Sequence, residues 1–243
     1  MDTTGRIALI TGANKGIGLE IARQLGRAGL SVLLGCRSLE RGRQAAGLLR
    51  AERIDAHAVR LDITDAPGVA QAAEEILDRF GSLDILVNNA GANDAGDGKP
   101  SVASVEAVRR LLETNFLGAL TVTQAMLPLL RRACGDARIV NLSSSLGSLA
   151  MNGDPASPYY RAQLMGYNAS KAALNMLTVQ LAQELAGSRI TVNSACPGFV
   201  ATDLNGHTGT LTVAVGAAGA VRLALTDSGV SGQFMDAGGQ VRW

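Results

Sequence analysis

Tyr167 and Lys171 stand four residues apart in the run GYNASKAALN, so a helix places both side chains on one face, one turn from each other. In that position the ammonium biases the phenol toward its ionised form. An isolated phenol titrates near pH ~10, which makes it too weak an acid and too fully protonated a base for neutral-pH work unless a neighbouring cation shifts it. The pair is equipment for donating a proton. The same spacing also occurs as an ordinary surface pair, so the rest of the chain has to discriminate. Tyr159 and Tyr160 lie nearby but have Gln163 and Leu164, not lysine, four residues on.

A second chemical signal lies far upstream, in TGANKGIG, Thr11 to Gly18. Gly12 can adopt a backbone conformation closed to other residues, Gly16 permits close approach of a pyrophosphate, and Gly18 lets a helix pack on a strand. The helix that follows offers free N–H groups and its positive end to phosphate oxygens. The candidate nucleotide contacts in this loop are Gly12, Asn14, Lys15, Gly16, Ile17 and Gly18. An acid about 20 residues on would bind the ribose 2′-hydroxyl of NAD, but that place reads Gly35-Cys36-Arg37. A guanidinium fork suits a 2′-phosphate, and Lys15 adds a second cation, so NADPH/NADP+ is the expected cofactor. Asp62, with Ile63 after it, closes a strand where a carboxylate can accept from the adenine amino group or cap the following turn. Asn89, Ala90 and Gly91 end another strand with small residues that let a flat ring system lie against the backbone, or simply turn the chain.

The elements that position these residues follow from periodicity. Short apolar runs alternate with longer segments of helical period, the pattern of repeated βαβ units. Strands are expected at 6–11, 31–36, 56–61, 83–88, 137–142, 189–195 and 232–236, and helices at 16–28, 40–52, 67–80, 105–130 and 167–186. Together they make an α/β fold: one doubly wound, mainly parallel seven-stranded sheet with helices on both faces, residues 1–243 forming a single domain. Right-handed crossovers bring the carboxyl ends of the strands, and so the candidate residues, to one rim. The loops Ala92–Ser101 and Leu146–Gly166 both follow strands and border that rim.

Composition narrows the class. A net charge of +1 supplies no field to draw nucleic acid or an anionic membrane. Cys36, Cys134 and Cys196 are odd in number and far apart, which indicates neither a disulfide framework nor a metal knuckle. His57 and His207 have no partner at ligand spacing, so metal-free chemistry is expected. No apolar stretch reaches the ~18 residues of a membrane span, and the N-terminus lacks a secretory pattern; a cytoplasmic setting is expected.

In order, TGANKGIG, NNAG, Asn115 in ETNFLG, the serine run of IVNLSSSLGS, YNASK and Pro197-Gly198 of NSACPGFVATDL resemble the short-chain dehydrogenases/reductases. The resemblance covers about nine-tenths of the chain. Asn14-Lys15, Arg37 and the closing SGQFMDAGGQVRW are most similar to the carbonyl-reductase branch. The resemblance implies a Rossmann-type fold and a catalytic set of Asn115, Ser144, Tyr167 and Lys171. Any of Ser143, Ser144 and Ser145 has the needed hydroxyl; the family register selects Ser144. It further implies that Tyr167 protonates a carbonyl oxygen as hydride arrives, that Ser144 holds that oxygen, that Lys171 supports the phenolate and the nicotinamide ribose, and that Asn115 places a water beside Lys171. Pro197, Gly198, Val200 and Thr202 lie in a segment implied to close over the nicotinamide, the Val200 backbone reaching its carboxamide and Thr202 the phosphate region, with a plain strand-to-helix turn as the alternative. The segment MNGDPASPYYRA adds about ten residues to the family's spacing between Ser144 and Tyr167, which leaves monomer and homodimer both open. Met151, Tyr160, Met165 and Phe199 are candidate substrate neighbours, with core packing as their alternative. The implied activity is reduction of a small or medium ketone, aldehyde or quinone. An alcohol dehydrogenase of the same fold and a non-catalytic nucleotide sensor are the competing readings.

Overall fold

The computed structural model describes residues 5–226 and 229–243. Its sheet has the strand order β3-β2-β1-β4-β5-β6-β7-β8. The strands are β1 Ile7–Thr11, β2 Ser31–Cys36, β3 Ala56–Arg60, β4 Ile85–Asn88, β5 Ala137–Leu142, β6 Ile190–Ala195, β7 Phe234–Asp236 and β8 Gly239–Gln240. All pairs are parallel except β7 with β8. The seven expected strands are all present; the eighth is a two-residue hairpin return too short to leave a periodic signal.

The helices are α1 Gly16–Arg27, α2 Leu39–Ala51, α3 Ala66–Phe80, α4 Val105–Leu112, α5 Gly118–Leu130, α6 Leu149–Asn152, α7 Met165–Glu184 and α8 Val213–Leu225. Alternate strand residues feed two cores. On one face Leu9, Leu86 and Ile139 pack against α3, α5 and α7. On the other Ile10, Val87 and Val140 pack against α1, α2 and α8. Both faces of the central strands are therefore covered, which is why they read as continuous apolar runs rather than alternating ones.

Two helical expectations change. The single helix expected at 105–130 is interrupted by a π-helical turn, Glu113–Leu117, of the kind that inserts one residue and re-aims its neighbours. Helix α8 escapes periodicity because its buried positions are Gly216, Ala217, Ala220 and Ala224, which form no stripe of large apolar side chains.

Strand order reverses at β1, whose neighbours are β2 on one side and β4 on the other. Crossovers leave in opposite directions there and open a crevice at the strands' carboxyl ends, the usual ligand position in such sheets.

Candidate active site

The glycine-rich loop, the end of β4 and the start of α1 form one interlocked unit. Gly12 has φ +66°, and a Cβ on it would stand 3.0 Å from the Ala90 Cα. A Cβ on Gly18 would stand 2.7 Å from the Gly12 carbonyl oxygen and collide with the Asn89 amide. Thr11 Oγ1 accepts from the backbone N–H groups of Asn89 and Ala90, both at 3.0 Å, while Asn89 Nδ2 donates to the Thr11 carbonyl at 2.8 Å. Gly16 differs: at φ +58° its Cβ position meets only a Thr202 methyl at 3.9 Å, so its face toward the crevice is open.

This unit is one wall of a cleft of about 920 Å³, within the range of small-molecule sites. Asn14, Lys15, Ile17, Arg37, Asp62, Ile63, Asn89, Ala90, Gly91, Tyr167, Lys171, Pro197 and Thr202 line it with the loop glycines. Gly198 and Val200 do not. Val200 is buried, and its carbonyl accepts from Asn205 Nδ2 at 2.9 Å. Asp62 Oδ1 accepts from the N–H and hydroxyl of Thr64 at 3.1 and 2.8 Å, so the turn-capping role is realised by one oxygen.

Charge is distributed unevenly along the cleft. Arg37 and, one turn into α2, Arg41 line its outer end, and among the described residues neither guanidinium meets an acid. Arg41 was legible only as a basic residue four places after Arg37. Lys15 instead reaches across to Asp203, Nζ to Oδ2 2.5 Å. Asp203 also receives His207 Nε2 at 2.7 Å, and the hydrogen bonds from Lys15 and then His207 hold its carboxyl below the ordinary range. His207, expected to be structural or solvated, is thus part of the cleft wall.

At the inner end Tyr167 and Lys171 line the cleft together with Ser143 and Thr114, while Ser144 and Asn115, also implied as catalytic, stand next to those two and are not part of its lining. Tyr167 and Lys171 share one face of α7, with the ammonium 5.8 Å from the phenol ring centroid. Lys171 is 5% exposed and its Nζ donates to the Leu142 carbonyl at 2.8 Å. Ser144 Oγ accepts from the Leu146 N–H at 3.2 Å and lies close enough to the Tyr167 phenol to favour its ionised form. Asn115 lies in the π-turn with its amide engaged: Oδ1 accepts from Ala92 N at 2.8 Å, and Nδ2 donates to Ala92 O at 3.1 Å and Ser170 Oγ at 3.0 Å. A Cβ on Gly91 would lie 3.3 Å from Asn115 Oδ1 and 3.7 Å from Lys171 Nζ. Beneath them a polar layer crosses the sheet, from Asn88 Nδ2 to Asn141 Oδ1 at 2.9 Å, from Asn141 Nδ2 to Thr178 Oγ1 at 2.8 Å, and from Thr178 to Ser194 at 2.8 Å.

Burial overrides the simple electrostatics of the pair. Desolvation, then the nearby Cys196, push the Tyr167 phenol up to about 12 against a downward contribution from Ser144. The shift runs opposite to the one expected from the ammonium. Desolvation likewise brings Lys171 from 10.5 down to about 8, with Cys196 opposing. The phenol is therefore held proton-loaded at neutral pH. Cys196, buried beside Ser145 at 3.2 Å, is a neighbour that spacing gave no means of finding.

The sequence profile described as short chain dehydrogenase matches residues 6–210. The chain belongs to the short-chain dehydrogenase family. It is 34% identical to (+)-neomenthol dehydrogenase of Arabidopsis thaliana over 92% of this chain and 93% of that protein. The salutaridine reductase structure from Papaver somniferum superimposes with a TM-score of 0.81 at 32% identity, covering 94% of this chain and 99% of that one. A gluconate 5-dehydrogenase of Burkholderia cenocepacia, solved with NADP and tartrate, gives 0.83 at 30% identity over 96% and 94%. This short-chain dehydrogenase is accordingly an oxidoreductase with a single-domain Rossmann-like fold. Among its described residues no helix is long and apolar enough to cross a membrane.

Of the candidate substrate neighbours, Met151 packs with Cys196, Phe234, Val241 and Trp243. Tyr160 and Met165 line a separate cavity of about 590 Å³ on the opposite face of α7. Phe199 is exposed.

Proposed function

We propose that this chain is an NADPH-dependent reductase that converts a small or medium ketone, aldehyde or quinone into an alcohol. The observation that carries the reading is the proton-loaded Tyr167, beside Ser144 and one turn from a buried Lys171, at the inner end of a cleft whose outer end carries Arg37 and Arg41. The cleft fits a dinucleotide phosphate on its own terms: Gly16 presents open backbone at the start of α1, where N–H groups and the helix dipole favour an anion. The NADP-bound gluconate dehydrogenase supports the same choice. When bound, the cofactor supplies hydride to the carbonyl carbon. Gly12, Asn14, Lys15, Gly16, Ile17, Gly18, Arg37 and Thr202 would hold its phosphates, Asp62 and Ile63 its adenine, and Asn89, Ala90, Gly91 and Pro197 its inner half. For Gly198 and Val200 we retain only a backbone-shaping role.

The chain's own residues do the rest. Ser144 donates a hydrogen bond to the carbonyl oxygen and fixes it beside the phenol. Tyr167 gives that oxygen its proton as negative charge develops, the moment at which a preorganised donor lowers the barrier. Lys171 stabilises the phenolate left behind and favours its reprotonation. Asn115, its amide committed to Ala92 and Ser170, acts by holding the β4 loop against α7 rather than by touching substrate. A screen of NADPH consumption over aldehydes, ketones and quinones tests the reading, with Tyr167→Phe as control. Loss of at least ~100-fold in turnover is expected from removing the acid. Turnover by Tyr167→Phe equal to wild type overturns the mechanism, and faster oxidation of a secondary alcohol than reduction of any carbonyl at neutral pH overturns the direction.

A further inference from the structure

Helix α7 carries the proton donor but does not cap itself. Its N-cap residue, Leu164, has no side chain that can accept a hydrogen bond, and the first N–H groups of a helix have no partner within it. Each is accounted for. Leu164 N donates to Ala162 O at 3.2 Å and Met165 N to Gly98 O at 2.8 Å. Gly166 N donates to Asp97 Oδ1 at 2.7 Å and Tyr167 N to Asp97 Oδ2 at 2.9 Å. Asn168 N begins the regular ladder to Leu164 O at 2.8 Å. The cap therefore comes from a residue 70 positions upstream, in the loop after β4, and one of its two bonds ends on the backbone of Tyr167 itself.

Space at this junction allows nothing else. A Cβ on Gly166 would stand 2.8 Å from Leu111 Cδ1, 3.1 Å from the Val108 Cα and 3.2 Å from Asp97 Oδ1. The first turn of α7 is pressed against α4 and the loop, where a carboxylate also meets the positive end of the helix dipole. The same loop is tied to α7 at its other end, through Ala92, Asn115 and Ser170, and Ser170 Oγ returns to the Tyr167 carbonyl at 2.8 Å. The peptide groups on both sides of the Tyr167 Cα are thus fixed by side chains, one by Asp97 and one by Ser170.

We propose that Asp97 is a positioning residue for the proton donor: its carboxylate sets where the Tyr167 backbone stands along α7 and so how the phenol meets Ser144. The inference rests on the reductase reading above. Asp97 does not line the cleft, so its removal acts on the chemical step and not on cofactor binding. Asp94 is the matched control, since it orders the same loop by accepting from Arg110 Nε at 2.7 Å and Gly96 N at 2.9 Å without touching α7.

The experiment compares Asp97→Ala, Asp97→Asn, Asp94→Ala and Tyr167→Phe, reading kcat with a responsive carbonyl, NADPH Kd by titration, and deuterium exchange of the amides at 166–167. Asp97→Ala is expected to lower kcat about tenfold or more, as a misplaced catalytic group does, to leave NADPH Kd within about twofold, and to speed exchange at both amides. Asp97→Asn keeps one of the two acceptors, so a loss of about threefold and faster exchange at one amide are expected. Asp94→Ala should stay within about twofold of wild type. Wild-type kcat in Asp97→Ala, or an equal loss in Asp94→Ala, overturns the proposal. If Asp97→Ala does not fold, the isosteric Asp97→Asn decides: unchanged kcat and exchange overturn it. Full activity in Tyr167→Phe overturns the reductase reading instead, whatever the Asp97 variants do.

Discussion

Lys171 is a cation kept almost out of water, and that should be measurable as a stability penalty. Burial brings its folded-state pKa from 10.5 down to about 8. At ~1.36 kcal/mol per tenfold change in proton affinity, this corresponds to about 3 kcal/mol against folding while both states are protonated. Below about pH 8 the folded and unfolded chains both carry the charge and the penalty is complete. Between about 8 and 10.5 the unfolded chain binds the proton and the folded one does not, so stability rises with pH through that window; above it the penalty is gone. Lys171→Met removes the charge but leaves the Leu142 carbonyl without its 2.8 Å donor, a loss of about 1–3 kcal/mol that does not vary with pH. The clean quantity is therefore the change with pH of the stability difference between variant and wild type. Urea unfolding of the cofactor-free proteins at pH 7 and pH 10 should show the variant losing about 2 kcal/mol relative to wild type over that interval. A difference that stays constant within about 0.5 kcal/mol would refute the burial argument.

Two further outcomes follow from the cleft walls. Arg37→Ala should raise the KM for NADPH by ~10-fold or more and that for NADH by less than about twofold, because only the former has a 2′-phosphate for the guanidinium fork; equal losses on both cofactors would remove Arg37 from that role. Gly18→Ala should destabilise the fold by about 1–3 kcal/mol, as overpacking does, and weaken NADPH binding with it, since the added methyl meets the Asn89 amide and the Gly12 carbonyl. Thermal unfolding together with NADPH titration checks both effects, and an unchanged Tm would contradict the packing.

Local chemistry made much of the fold readable. The β2 and β5 boundaries were expected where they occur, at Ser31–Cys36 and Ala137–Leu142, because fully buried parallel strands show as unbroken apolar runs between turn residues. Gly12 reads correctly as a left-handed position, and Tyr167 with Lys171 reads as a one-face pair, because both follow from dihedral and helical geometry alone. What escaped shares a physical cause. The π-turn around Asn115 is stabilised by contacts to Ala92 and Ser170, not by its own residues. Helix α8 is small-residue packing against α1 and Val200, which carries no periodic signal. Lys15 reads as a cation free to meet a phosphate, yet it pairs with Asp203, 188 positions away.

The sequence by itself determined the class of fold, the rim that the candidate residues share and the one-face pairing of Tyr167 with Lys171, since these depend on periodicity and on side-chain chemistry. The tertiary structure decided how those residues behave. Burial, a sum over everything packed around a group, reversed the direction in which the Tyr167 phenol was expected to shift and made Lys171 a weak cation. Long-range contacts decided which groups hold them in place, because the cap of α7 is supplied by Asp97 from another loop.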